Sequence, residues 1–178
     1  AFNNGTNSSS YEDSDLSSQL KTVARLISGG LQSKVYLVKL NGFDTHFNQI
    51  QSGNDILGDH NELLIELNNA VSSFMEDISA QGFQNDVVGL TFSEFGRKAK
   101  ENGNLGTDHG EIAPMFVFGS AINGGVSGSN PDLTEATLEN NWQLETFQYD
   151  YRDTLGTLLQ DYLGADDNAI DSTFFNHT

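Results

Sequence analysis

The chain has 178 residues, with 25 acidic against 8 basic side chains for a formal charge of −17, and no cysteine. That length holds one domain with its own core rather than two, and the charge repels phosphate backbones, which argues against nucleic acid as a partner. Without cysteine there are no disulfides and no thiolate metal sites, so carboxylate, imidazole and hydroxyl are the available ligands.

The first ten residues, AFNNGTNSSS, are rich in Asn, Ser and Gly and lack the apolar run of a signal peptide. Residues 1–14 therefore read as a flexible lead-in, in keeping with a processed or truncated start, and residues 15–175 as the folded domain. Asp15–Ser28 carries Leu16, Leu20, Val23, Ala24 and Ile27 at helical spacing and stops at Gly29-Gly30. Lys34–Leu40 (KVYLVKL) reads as a strand, followed by a loop, Asn41–Gly58, that holds GFDTHFNQ. Asp59–Ala80 is the clearest helix. Its stripe is Leu63, Leu67, Val71, Phe74 and Ile78, with Asp59 as N-cap, Glu62 at capping-box spacing, and Gly82 at the end.

Asp86–Phe92 (DVVGLTF) reads as a second buried strand ending in SEFGR, and Glu101–Gly110 as a Gly/Asn loop. Pro114–Gly119 (PMFVFG) gives a third strand and Asp150–Leu163 a late helix closed by Gly164. No run approaches the length of a membrane span. Helices alternating with near-continuous apolar strands predict an α/β fold, a mostly parallel sheet flanked by helices on both faces. Ligands of such sheets collect at the carboxyl ends of strands, and the polar motifs fall there.

Three of the four histidines stand beside an acid, in Asp44-Thr45-His46, Asp59-His60 and Asp108-His109. Imidazole and carboxylate from several loops are what hold divalent metals in hydrolases, which makes Asp44, His46, Glu94, Asp108 and His109 the candidate metal ligands. The plain reading of each alone is a surface pair or a turn. Asp59 is accounted for as a cap, His60 as the first helical residue with site lining as the lesser alternative, and His177 as a solvated tail residue. Glu94 is a candidate ligand or general base, or else a carboxylate paired with Arg97. Arg97 is the candidate group for orienting an anionic oxygen. Ser93 and Thr107 lack the glycine frame of a nucleophile elbow. Trp142, Phe147 and Tyr149 read as packing residues.

In order along the chain, NGFDTHFNQ, HNELLIELNNAVSSFMEDI and TFSEFGRKAKENGNLGTDHGEIAPMFVFGSAINGGVSG closely resemble the bacterial domain of unknown function 1501 family. Pro131–Leu133 and YRDTLGTLLQDYLG fit the same pattern, and the likeness runs from about Leu16 to Phe175. That family resembles the alkaline phosphatase and sulfatase superfamily, and its members are typically exported. The resemblance implies an alkaline-phosphatase-like domain of which this chain is the C-terminal portion. It makes Asp44 and His46 a metal-binding pair after a core strand, and His109, with Asp108, a later ligand. Ser93-Glu94 falls where relatives place an Asp-His pair, and Lys98 stands where a second arginine is common.

The resemblance further implies a divalent cofactor (Zn, Mn, Ca or Mg) and hydrolysis of phosphate or sulfate esters in a small molecule or glycan. The site of action would be periplasmic, cell-surface or extracellular. It also implies an N-terminal half that supplies the first strand, its metal-binding aspartate and a Ser/Thr nucleophile, so this chain alone is expected to be catalytically incomplete. The alternative is a non-catalytic exported protein that keeps the scaffold for binding or assembly, because a fold does not fix a function.

Overall fold

The computed structural model describes residues 1–174. Within them lie helices α1 (Asp15–Ser28), α2 (Asp59–Ala80), α3 (Tyr151–Thr157) and α4 (Asp167–Phe174). The strands are short: β1 (Gly89–Leu90), β2 (Gly96–Glu101), β3 (Thr107–Gly110) and β4 (Val117–Phe118). The domain is thus a small mixed α/β fold in which the strands pair antiparallel. His177, read as a solvated tail residue, lies outside the described residues. None of the described helices is long and apolar enough to cross a membrane.

The two long helices form where the apolar periodicity places them. Ser14 caps α1, its hydroxyl accepting from the Ser17 N–H at 3.2 Å, with Asp15 in the first turn and Arg25 in the last complementing the helix dipole. Leu16, Leu20, Val23 and Ala24 of α1 meet Ala70, Phe74 and Ile78 of α2 in the buried core. Each large side chain fully buried there contributes roughly 1.5–3 kcal/mol. The start of α2 differs from expectation. Its N-cap is Gly58 rather than Asp59, with φ of 136° and no side-chain cap bond. A Cβ at Gly58 would lie 2.6 Å from Ile50 Cα, so only glycine fits this bend, and Asp59 becomes the first helical residue.

Asp77, one turn from the end of α2, is fully buried and polar. Its carboxylate accepts from the Ser8 N–H (2.6 Å), Asn7 Nδ2 (2.9 Å), the Tyr11 hydroxyl (2.9 Å) and Gln81 Nε2 (2.6 Å). Burial pushes this carboxyl up, but the four hydrogen bonds outweigh it and hold it below the usual range. The segment read as a flexible lead-in is held at these contacts, and again where Arg25 Nε donates to the Phe2 and Gly5 carbonyls.

The expected parallel sheet does not form among the described residues, whose two strand pairs are both antiparallel. Lys34–Leu40 forms no regular secondary structure and has no ladder partner among the described residues. Tyr36, Val38 and Leu40 lie on the helical core, while Val35 and Leu37 are 73% and 78% exposed. The second predicted strand reduces to Gly89–Leu90, paired antiparallel with Val117–Phe118. The physical reason is the connection. Parallel neighbours need a crossover, usually a helix, whereas the chain between β1 and β4 folds into the β2–β3 hairpin and returns reversed. The expected Gly/Asn loop at 101–110 is therefore only a turn, and Thr107–Gly110 is a strand.

The late helix appears as α3, which continues as one π-type stretch, Leu158–Tyr162, and ends at Gly164 with φ of 73°. Its Asp150 cap accepts from the Arg152 N–H at 2.9 Å. Phe147 and Tyr149, read as packing residues, are about 60% exposed instead. Trp142 is half-buried beneath Lys100, whose Nζ lies 4.4 Å from its ring centre.

Candidate metal centre

The GFDTHFNQ loop is laid against the β2–β3 hairpin by hydrogen bonds to its backbone. From β2, Arg97 donates through Nη1 to the Thr107 carbonyl (2.6 Å) and through Nη2 to the Phe43 carbonyl and the Thr45 hydroxyl (3.3 Å). Asn102 Nδ2 donates to the His46 carbonyl at 2.8 Å. The N–H groups of Asn48 and Ile50 donate to the carbonyls of Asn104 and Leu105. At Gly106 a Cβ would come within 2.4 Å of the His46 carbonyl, so this close approach needs glycine. Buried Thr45 and half-buried Thr107 both donate their hydroxyls to Gln49 Oε1, at 3.4 and 2.8 Å.

This clamp brings together side chains that are far apart in sequence. Asp44 Oδ1 lies 2.7 Å from His109 Nε2 and 3.0 Å from His46 Nε2. The two imidazole centres are 4.9 Å apart. Each of the three residues offers one ligand atom, and those atoms all lie within 4.8 Å of one another. Phe95 stacks on His109 with centroids 3.9 Å apart and planes 5° from parallel, which fixes that ring. Behind His46, its Nδ1 meets Asp108 Oδ1 at 3.2 Å, and Asp108 accepts from Asn102 Nδ2 at 3.3 Å, with Lys98 Nζ 4.0 Å away.

The electrostatics keep both carboxyls ionised. Asp44 is held below the usual range first by its hydrogen bond with His109, then by the charges of His46, His109 and Arg97. Asp108 is lowered first by Asn102 and then by His46. Burial lowers Arg97, and the two aspartates counter it. The site is open: the Asp44 side chain is 63% exposed and that of His109 46%.

Two imidazole nitrogens and one carboxylate oxygen form a donor set that suits zinc-type ions. Ligand atoms about 2.0–2.1 Å from a tetrahedral ion stand roughly 3.3 Å apart; the contacts of 2.7 and 3.0 Å are close to that spacing, and all three ligand atoms lie within 4.8 Å of one another. The donors present therefore fit a divalent ion, with one position left toward solvent.

Of the five residues singled out as metal ligands, the structure brings Asp44, His46 and His109 into this group. Asp108 touches the far side of His46 instead. Glu94 sits exposed in the turn before β2, outside the group. Arg97 directs its donors at Phe43 and Thr45 of the loop that carries Asp44 and His46, and at Thr107 of β3. His60 is half-buried edge-on to Phe43, 5.7 Å between ring centres, and burial lowers its pKa. Phe95, Gln49 and Asn102 as supports of the site were not foreseen. Their roles depend on the pairing of β2 with β3, which a reading of 101–110 as a loop conceals.

The chain belongs to the family of proteins of unknown function DUF1501, whose model matches residues 5–167. No curated protein and no solved structure matches it significantly.

Proposed function

We propose that Asp44, His46 and His109 hold a divalent metal ion, and that the chain is the metal-bearing part of an exported, alkaline-phosphatase-like hydrolase of phosphate or sulfate esters. The observation that carries the reading is the convergence of two imidazoles and a carboxylate from the Asp44–His46 loop and β3. A divalent ion bound there supplies positive charge that polarises an ester oxygen. Asp44 remains ionised to receive it, Phe95 and Asp108 set the two rings, and Arg97 holds the loop at its working distance from β3. Glu94, solvent-facing on the neighbouring turn, is the carboxylate we assign to general-base work on an incoming substrate.

The superfamily, the ester class and the exported location rest on the resemblance of the FDTH, SEFGR and GTDHG motifs. Further chain of the same protein is the partner we propose. Val35 and Leu37 stand exposed on an apolar segment that has no ladder partner among the described residues, a surface that further chain would cover.

A second reading, a non-catalytic binding or assembly protein on the same scaffold, draws on one observation. The hydroxyls nearest the cluster in sequence, Thr45 and Thr107, are both engaged by Gln49. The test has two parts: metal content of the purified protein after chelation and reloading, and release of nitrophenol from its phosphate and sulfate esters by the full-length protein. One ion per chain with ester hydrolysis supports the first reading, and one ion without hydrolysis supports the second. Absence of stoichiometric metal removes the basis of the first.

A further inference from the structure

We infer that Asp108 is a positioning residue that sets the tautomer and aim of His46, rather than a ligand to the ion itself. The inference rests on the metal reading of the Asp44–His46–His109 cluster. A histidine can offer a metal only one ring nitrogen with a free lone pair, and the hydrogen-bond partner of the other nitrogen decides which one. For His46 the two sides are distinct. Nε2 faces the cluster, 3.0 Å from Asp44 Oδ1, and Nδ1 faces Asp108 Oδ1 at 3.2 Å. A proton placed on Nδ1 and accepted by Asp108 leaves the Nε2 lone pair directed at the ion.

Asp108 is itself held for this task. Asn102 Nδ2 donates to the same Oδ1 at 3.3 Å and also to the His46 carbonyl at 2.8 Å, so one side chain ties the aspartate to the backbone of the histidine it orients. Lys98, only 15% exposed, places its ammonium 4.0 Å from Oδ2. Both Asp108 oxygens thus face cationic or donor groups, and Asp108 does not belong to the group of converging ligand atoms. The two histidines are oriented by different means, a carboxylate behind His46 and the Phe95 ring against His109.

The test is zinc titration of the chelated protein, wild type against Asp108→Ala and Asp108→Asn, with zinc-edge absorption spectra and nitrogen-15 spectra of the loaded forms. Asp108→Ala is expected to weaken zinc binding roughly 10–100-fold. Its zinc should keep the same number and kind of donors, and the His46 Nδ1–H resonance should be lost to exchange. Asp108→Asn, which keeps an acceptor but not the charge, should lie between. Glu111→Gln, which removes an exposed carboxylate just after β3, controls for general charge and should match wild type. Wild-type affinity in Asp108→Ala would overturn the inference, as would loss of one oxygen donor from its zinc shell, which would make Asp108 a ligand. Zinc uptake absent from the wild type as well would bring down the underlying cluster reading, a result distinguishable from either.

Discussion

Asp44 and His109 stand 65 positions apart in the chain, yet the carboxylate oxygen of one lies 2.7 Å from Nε2 of the other. Neither lies in the helical core. Asp44 sits in a loop and His109 on a four-residue strand, so their meeting depends on what joins loop to hairpin. Arg97 is the main tie.

Arg97→Lys should therefore act on the site although the charge is kept. A lysine cannot reproduce a planar fork that serves the Phe43 and Thr107 carbonyls together. The variant is expected to lose about 1–3 kcal/mol of stability and to bind zinc more weakly. Urea unfolding and zinc titration of one preparation check both. Unchanged values in both would show that the loop is held by other contacts.

Glu94→Gln should separate binding from chemistry. Glu94 is exposed and outside the ligand group, so metal stoichiometry and affinity should equal those of wild type. If it is the general base, ester hydrolysis by the full-length protein should fall about 10²–10⁴-fold. A fall in metal content would instead make Glu94 a ligand.

The Asp77 network predicts acid sensitivity far from the site. The folded carboxyl ionises more readily than an unfolded one, so its contribution is fully present above about pH 4 and is lost as pH falls through the lowered folded value. The stability gap between wild type and Asp77→Asn should shrink on acidification below that point, measured by urea unfolding from pH 6 to pH 2 (about two units either side of the ordinary carboxyl value). Tyr11 behaves oppositely. Burial and then Asp77 raise its phenol, so its contribution is complete below about pH 10 and is lost as pH rises further. A gap between wild type and Asp77→Asn that does not vary with pH would contradict the assigned hydrogen bonds.

The long helices were legible because their signals are local. Leu16, Leu20 and Val23, or Leu67, Phe74 and Ile78, recur at the helical period, and Gly29, Gly30 and Gly82 mark the ends. Strand partnership was not legible. Val35 to Leu40 and Val87 to Thr91 are apolar enough for a parallel sheet, but their neighbours are set by where distant chain returns, and here that return is a hairpin. The hairpin itself was hidden. Its first strand, GRKAKE, is polar and charged and offers no apolar alternation to read.

Within the site, residue type and the expected strand ends singled out Asp44, His46, Glu94, Asp108 and His109, of which Asp44, His46 and His109 converge. Neither signal gave a means of telling Asp108 from His109. Adjacent residues in a peptide look like a paired ligand, whereas successive side chains of a strand point to opposite sides. Once residues 107–110 form β3, His109 reaches Asp44 and Asp108 reaches the back of His46.

The most direct measurement is zinc binding to the chelated protein, compared among wild type, Asp44→Ala and His109→Ala, with the donors read from the absorption edge. The expected result is one ion per chain held by two imidazole nitrogens and a carboxylate oxygen. Either substitution should cost more than the roughly 10–100-fold assigned to a supporting residue and leave the helical circular dichroism intact. Stoichiometric zinc retained with unchanged affinity in both variants, or none taken up by the wild type, would contradict it.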